Sequence, residues 1–173
     1  MTNGIAARLF LAVLFVTVVV GNFAGNSFAA DKAKAADLSK ALGQAKLFAG
    51  LTYKEKVSLS AAATLRLCKE GERIIEQGKS LDRMFIILEG QAEVRVNGIF
   101  ITSFPGQALV GEIEFLDKLP ARADVVILKE THVIELNNDA LTGLMKKQPR
   151  MGYAIMSEIA RIEGTRWASG MFG

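Results

Sequence analysis

Cysteine, histidine and proline are scarce in this sequence, and the shortage excludes some classes of structure. The 173 residues contain one Cys, one His and three Pro. The single thiol, Cys68, has no internal partner for a disulfide, so the fold must depend on its apolar core. Because free Cys is among the most buried residue types, we expect Cys68 to be a small buried hydrophobe and not a redox thiol.

Recognisable catalytic and metal-binding patterns are also missing. The lone His132 has no second His nearby, so the ligand set of a metal site is not present around it. No spacing of Ser, His and Asp, or of Cys and His, indicates a nucleophile with its base. The sequence therefore predicts a protein that is not an enzyme and has neither catalytic residues nor a metal site.

Charge of one sign is not in large excess either. The 21 Lys and Arg residues against 18 Asp and Glu give a formal net charge of +3, which provides no strong attraction to nucleic acid or to an anionic membrane. No helix-turn-helix pattern is present, so DNA is not expected as a partner. No linker rich in Pro, Gly and Ser divides the chain after its N-terminal segment, which leaves about one ordinary domain.

The N-terminal segment has the layout of a secretory signal peptide. Arg8 is its one charge, an apolar run broken only by Thr17 covers residues 9–20, and small residues flank Phe28 where signal peptidase would cleave. An uncleaved membrane anchor is the alternative, but the run is short for a span of about 20 residues. We predict that residues 1–29 are a signal peptide and that the mature protein is exported, periplasmic and not stably inserted in a membrane.

Two short helices are predicted before the β-rich part of the chain. Asp37 is a candidate N-cap of the first, and residues 30–46 are assigned to a polar lead followed by that helix. Thr52 and Glu55 have the spacing of a capping box for the second helix, which we expect to extend through Ala63.

From Thr64 onward, short apolar segments are separated by turn residues, which is typical of an all-β domain. Asn97-Gly98 is the clearest turn, because a type I′ hairpin needs two residues that tolerate positive φ. Eight strands are predicted, at residues 65–69, 72–76, 84–88, 92–96, 99–101, 108–110, 123–128 and 131–136. The fold class is therefore mainly β, an eight-stranded jelly-roll barrel flanked by N-terminal and C-terminal helices.

The C-terminal part is predicted to be helical and then irregular. Asn138 is a candidate N-cap for a helix over residues 139–148, and Pro149 suits the first turn of the next helix. Residues 164–173 are assigned to a C-terminal tail. Four apolar residues recur at helical intervals on the last helix and predict a packed stripe: Met151, Ile155, Ile159 and Ile162.

The best candidates for a ligand site lie in residues 111–125, between the sixth and seventh predicted strands. Gly111 lets a ligand approach the backbone closely, and Glu112 and Ile113 offer amides at the start of a helical turn, where an anion is favoured. Arg122 carries a planar donor fork suited to phosphate. Glu112 is also a candidate acceptor for a ribose hydroxyl.

Each of the two charged candidates has a structural alternative. A carboxylate such as Glu112 in the first turn of a helix stabilises that turn through the helix dipole. Arg122 has Asp124 two residues further on as another partner, or it faces solvent.

This segment resembles the phosphate-binding cassette of the cyclic-nucleotide-binding domain family, in which Gly-Glu and an apolar stretch precede Pro-Arg-Ala or Pro-Arg-Ser. Here Ala121 follows Pro120, and Arg122 comes one place later. That spacing is similar to the longer cassettes of the catabolite-activator type. The resemblance implies a ligand-binding set of five residues: Gly111, Glu112, Ile113, Arg122 and Ala123.

The resemblance extends over nearly all of residues 47–163. Gly-Glu-Arg-Ile-Ile-Glu-Gln-Gly at 71–78, Asp-Arg-Met-Phe-Ile-Ile-Leu-Glu-Gly at 82–90 and Phe-Pro-Gly at 104–106 are similar to three barrel signatures of the family and follow in the same order. It implies a cyclic-nucleotide-binding-like domain over residues 47–163, with a cyclic nucleotide, cAMP or cGMP, as candidate ligand.

Two functions follow from these expectations. The first is an exported, stand-alone sensing or regulatory module for a small ligand, without an output domain in cis. The alternative is a degenerate barrel that binds no nucleotide and serves as a protein-interaction module for an unknown partner. Because cyclic nucleotides are signals of the cytoplasm, an exported member is expected to have an unusual ligand or none.

Overall fold

The computed structural model describes residues 19–170, and it describes side chains from Lys32 onward. Residues 1–18 of the predicted signal peptide and residues 171–173 of the predicted tail lie outside this range. The chain divides into two units, Met1–Ala36 and Asp37–Gly173. No helix among the described residues is both long and apolar enough to cross a membrane.

The first helix differs from its prediction. α1 spans Val19–Gln44, so Asp37 lies inside it and the predicted N-cap there is wrong. The segment before Asp37 is rich in Ala and Lys, which are among the strongest helix formers, and it continues the helix instead of forming a separate lead. A 3-10 turn follows at Lys46–Phe48.

The capping box predicted for the second helix is confirmed. α2 spans Tyr53–Leu59, the Thr52 hydroxyl accepts from the Glu55 amide, and the Thr52 amide donates to the Glu55 carboxylate at 2.8 Å. The helix ends four residues before the predicted Ala63, because Ala63 already begins the first strand.

Eight strands form two antiparallel sheets in the described part of the chain, as the jelly-roll prediction requires. They are β1 (Ala63–Cys68), β2 (Arg73–Ile75), β3 (Arg83–Ile87), β4 (Gln91–Val96), β5 (Ile99–Pro105), β6 (Ala108–Val110), β7 (Asp124–Lys129) and β8 (Thr131–Asn137). One sheet has the order β1-β8-β3-β6 and the other β2-β7-β4-β5. The remaining helices are α3 (Glu112–Asp117), α4 (Asn138–Lys147) and α5 (Pro149–Ala168).

The β4–β5 hairpin has the predicted turn. Asn97 and Gly98 have φ of 53° and 78°, the two positive values that a type I′ turn needs. The turn pairs Val96 with Ile99. β5 continues to Pro105, beyond the predicted strand end at residue 101.

Two hydrophobic cores share the β1-β8-β3-β6 sheet. Successive side chains of a strand point to opposite faces, so Met84 and Ile86 join a core with the helices while Phe85 and Ile87 join a core between the two sheets. Cys68 is fully buried in the core between the sheets, as predicted. Burial raises the pKa of its thiol to about 11.

The C-terminal helices confirm most of their predicted features. The N-cap of α4 is Asn137, whose side chain accepts from the Ala140 amide at 2.9 Å, so the predicted Asn138 is off by one residue. Pro149 lies in the first turn of α5. Three stripe residues of α5 are at most 1% exposed, and the fourth is partly buried against the same core. α5 continues to Ala168, so residues 164–168 of the predicted tail are helical.

Candidate functional site

A pocket of about 400 Å³ lies beside the predicted cassette. α3, the start of β7, several strands and the last turns of α5 contribute to its walls. Most of the wall is apolar, with side chains that include Ile75, Val94, Val96, Ile101, Val110 and Val125. The charged residues of the lining are Glu112, Glu114, Arg122, Glu163 and Arg166. All five sequence-predicted ligand residues belong to this lining.

Gly111 is needed for the chain to enter α3. Its φ is +82°, a conformation that favours glycine. An added Cβ would lie 2.8 Å from Leu81 Cδ2 and 3.3 Å from the Arg83 carbonyl oxygen. The close approach shown here is therefore to Leu81 and Arg83 of the same chain. Contact of Gly111 with a ligand stays a prediction.

α3 offers a weaker anion site than the sequence suggested. It has six residues, from Glu112 to Asp117, and so few aligned peptide dipoles give only a small partial charge at its start. Two carboxylates, Glu112 and Glu114, already stand in its first turn. Ile113 is half-buried and lines the pocket.

Glu112 is buried and is bound by an arginine of α5. Its Oε1 accepts from Arg166 Nη1 at 2.5 Å, and the two side chains are 4% and 9% exposed. Its Oε2 is buried and has no hydrogen-bond partner. Burial raises the pKa of Glu112, while the charge of Arg166 opposes the rise. One oxygen of the candidate ribose acceptor is therefore used within the protein, and the other is buried without a partner.

Arg166 makes further contacts that attach the end of α5 to the pocket. Nη2 donates to the Leu109 carbonyl, and Nη1 also lies 2.8 Å from Glu163 Oε1. The guanidinium carbon is 4.6 Å from the centre of the Phe104 ring, a cation–π distance. Sequence reasoning missed this residue because it assigned the segment to a tail. Its signal was that Arg166 continues the apolar stripe of α5, four residues after Ile162.

Arg122 lies on the pocket and bonds to carboxylates of α3. Nη2 is 2.5 Å from Asp117 Oδ2, Nη1 is 3.9 Å from Glu114 Oε1, and the backbone amide donates to the same Glu114 oxygen at 3.3 Å. The alternative pairing with Asp124 is wrong, since Asp124 instead accepts from the Gln77 amide at 2.8 Å. Asp117 and Glu114 raise the pKa of Arg122.

The two positions after Pro120 have different environments. Ala121 is 4% exposed, packs in the core between the sheets, and its amide donates to the Lys79 carbonyl. An arginine side chain there would enter that core. Arg122 and the half-buried Ala123 line the pocket instead. Position 122, and not position 121, therefore faces the pocket, and the role of Arg122 as a phosphate ligand stays a prediction.

A metal site is not indicated in the part of the chain that the structure describes. Over those residues, no three side chains of the His, Cys, Asp and Glu types are grouped to hold a metal ion. The pocket lining contains no Ser, His or Cys. Its chemistry is that of a binding site with apolar walls and a few charged groups.

Comparison with known proteins agrees with this geometry. The family model for the cyclic nucleotide-binding domain matches residues 65–148. The chain is 30% identical over 105 residues to the Pycsar effector protein XpPycTIR of Xanthomonas perforans, covering 60% of this chain and 34% of that protein. It is 32% identical over 101 residues to the cAMP-dependent protein kinase regulatory subunit of Debaryomyces hansenii, covering 58% and 22%.

A solved structure of a cyclic nucleotide-binding domain has the same fold. A crystal structure of a cyclic nucleotide-binding domain from Methylobacillus flagellatus superposes with a TM-score of 0.67 at 21% identity, over 78% of this chain and 79% of that one. Residues 65–148 are thus similar to the cyclic nucleotide-binding domain, and the fold is that of the solved domain. The chain spans about a third or less of the length of the curated relatives it matches.

Proposed function

We propose that this protein is a ligand-sensing regulatory module and not an enzyme, and that occupation of the pocket is reported through α5. The observation that carries the proposal is the ion pair between Glu112, in the cassette, and Arg166, near the end of α5. A ligand that bonds to Glu112 changes the partner that holds this helix in place. The nucleotide named for the yeast relative, cAMP, makes a nucleotide or a related molecule the candidate ligand.

Coupling of this kind requires a ligand that binds the two states of α5 with different affinities. Support for such a difference is that Glu163, Arg166 and Trp167, all on the last turns of α5, belong to the lining of the pocket. The other end of the same helix is joined to α2, where Arg150 Nε donates to Glu55 Oε1 at 2.8 Å. The N-terminal turns also place Met151 and Ile155, both fully buried, in the core with the other helices. A ligand that displaces the Arg166 pair is therefore expected to release the C-terminal turns and not the N-terminal ones.

The module acts outside the cytoplasm in this proposal, with the periplasm as its compartment. The support is the sequence pattern of residues 1–29, in which one Arg precedes an apolar run and a small-residue site. Intact-mass analysis of protein from the envelope fraction tests this part. We expect a start near Ala30 in a soluble fraction, whereas a chain that keeps Met1 and sediments with membranes would contradict export.

A protein-interaction role without a nucleotide is the second candidate. Two aromatic side chains of α5, Tyr153 and Trp167, are 77% and 76% exposed. Large exposed aromatics of this kind are enriched at protein interfaces. In this second reading, α5 contacts an unidentified protein partner and the pocket stays empty. Neither candidate involves DNA as a partner.

Fluorescence of the single tryptophan distinguishes the two candidates. Trp167 is the one Trp of the chain and lies on the pocket, so a ligand that enters the pocket changes its emission. The purified protein is titrated with cAMP, cGMP, cyclic dinucleotides and their parent nucleosides, and each titration is repeated by calorimetry. We expect saturable binding that Glu112→Ala weakens. A folded protein that binds none of these at millimolar concentration would leave the protein-interaction role.

A further inference from the structure

The phosphate donors of the cassette are already satisfied by carboxylates of this chain. Arg122 offers two guanidinium nitrogens and a backbone amide toward the pocket side. Asp117 takes the first nitrogen at 2.5 Å, and Glu114 Oε1 takes the amide at 3.3 Å and lies 3.9 Å from the second nitrogen. The two α3 carboxylates therefore take donors of Arg122 that a phosphate would otherwise use.

The two carboxylates differ in how easily a ligand could displace them. Asp117 and Arg122 are 32% and 52% exposed, and such exposed pairs are weak. Glu114, in contrast, has a side chain that is only 10% exposed. Its carboxylate also accepts from the Arg122 backbone amide at 3.3 Å, and moving it away would leave that part-buried amide without its acceptor. An incoming phosphate would thus remain beside Glu114 even after it displaced Asp117.

The excess of acidic residues in the pocket also disfavours a bound phosphate. Its lining carries three carboxylates, Glu112, Glu114 and Glu163, against the two arginines. Asp117 adds a fourth acid next to one of those arginines. Charges of like sign a few ångströms apart repel strongly where solvent is partly excluded. Lys118, whose ammonium lies over the Phe115 ring at 4.6 Å, is not part of the lining, and its charge would still leave one more acid than base.

One group in the pocket requires a hydrogen-bond donor from the ligand. Glu112 Oε2 is buried without a partner, and the residue is 3% exposed. A buried acceptor left unsatisfied is unfavourable, and a hydroxyl of a ligand would satisfy it. The other walls are mostly apolar and include Trp167. A planar ring with hydroxyl groups fits this combination, and the volume of about 400 Å³ suits a molecule of that size.

We propose that the pocket takes an uncharged nucleoside-type ligand, a planar base with a hydroxylated sugar and no phosphate, because Glu114 and Asp117 fill the phosphate subsite. The inference rests on the proposed function, since it names the ligand class of the same pocket. In this arrangement Glu112 Oε2 accepts from a sugar hydroxyl. Arg122 and the α3 carboxylates form a closed ionic group that selects against phosphate.

Calorimetric titration of the purified protein with adenosine and with cAMP tests this assignment. We expect adenosine to bind at least tenfold more tightly than cAMP. The double variant Asp117→Asn, Glu114→Gln keeps the carbonyl oxygens that accept from the Leu119 and Arg122 amides but removes both charges. It is expected to raise cAMP affinity at least tenfold and to leave adenosine affinity within about twofold. Asp82→Asn, which removes an acid paired with Arg83 outside the pocket lining, is the matched control and should change neither.

The other outcomes distinguish a wrong ligand class from a wrong proposed function. Tighter binding of cAMP than of adenosine by the unmutated protein, or loss of all binding on Arg122→Ala, would overturn the phosphate-free ligand while leaving a ligand-sensing pocket. Equal response of both ligands to the double variant would overturn the selective role of Glu114 and Asp117. Absence of binding by adenosine, cAMP and the other nucleotides and nucleosides of the first titration, in protein with an intact unfolding transition, would overturn the proposed function itself.

Discussion

Two arginines contact the same pocket in very different surroundings. The side chain of Arg122 is 52% exposed and pairs with Asp117, five positions earlier in the chain. The side chain of Arg166 is 9% exposed and pairs with Glu112, 54 positions away. The comparison shows that the ion pair within the cassette is local and solvated, whereas the one that joins α5 to the cassette is distant in sequence and buried. Their contributions to stability should differ accordingly.

The largest effect is expected for Arg166→Ala. Removal of one partner of a buried pair leaves the Glu112 charge uncompensated and typically costs about 3–5 kcal/mol. Chemical denaturation of the variant and of the unmutated protein measures the difference. The double variant Glu112→Leu, Arg166→Met is the control, since an apolar replacement of both partners is expected to recover most of the loss. A loss below about 1 kcal/mol for Arg166→Ala, typical of an exposed pair, would show that the pair behaves like that of Arg122.

Truncation of a buried aliphatic side chain gives a reference value for these losses in the free energy of unfolding. Ile86 lies on β3 and is 2% exposed. It belongs to the core that this sheet shares with the helices, including α5. Ile86→Ala is expected to lower the free energy of unfolding by about 2–5 kcal/mol, because it removes buried methylene groups and leaves a cavity. Ile99→Ala is the matched control, at a residue that is 68% exposed. Similar shifts in the melting temperature of both variants would contradict the position of this core.

Arg122→Ala is expected to change stability little. Its pairs with Asp117 and Glu114 are exposed on the arginine side, and such pairs contribute about 0–1 kcal/mol. Thermal unfolding at low and high salt measures the effect, and the small difference should shrink further in high salt. A loss as large as that of Arg166→Ala would remove the distinction between the two arginines.

The smallest effect is expected for the pH dependence of stability that arises from Glu55, which binds Arg150 at the N-terminal end of α5. Bonding to Arg150 and to the Thr52 amide lowers the pKa of Glu55 from 4.5 to about 2. A carboxyl whose folded-state pKa is depressed stabilises the fold above its unfolded pKa, and that stabilisation is lost as pH falls through the folded value. Stability should therefore decline between about pH 4.5 and 2, and Glu55→Gln should have a flatter profile there. Parallel profiles for the two proteins would contradict the role of Glu55.

Local signals account for what could be predicted from the sequence. The Asn97-Gly98 turn, the Thr52–Glu55 capping box and the alternating strands depend on residues within a few positions of each other. The errors were local too. The start of α1 was placed at Asp37 because a capping residue there outweighed the helix propensity of the alanine-rich segment before it. The cap of α4 was displaced by one residue because Asn137 and Asn138 are both suitable caps.

The sequence by itself determined the β-rich domain, its strands and a cassette whose acids and arginine lie within eleven residues, Glu112 to Arg122. Only the tertiary structure decided that Ala121 points into the core, that Arg122 lies on the pocket, and that Arg166 reaches Glu112. The physical reason is the separation along the chain of the residues that interact. Turn and cap chemistry act between neighbours in the chain, while a buried ion pair forms where packing of α5 on the sheet brings two distant charges together and excludes water from both.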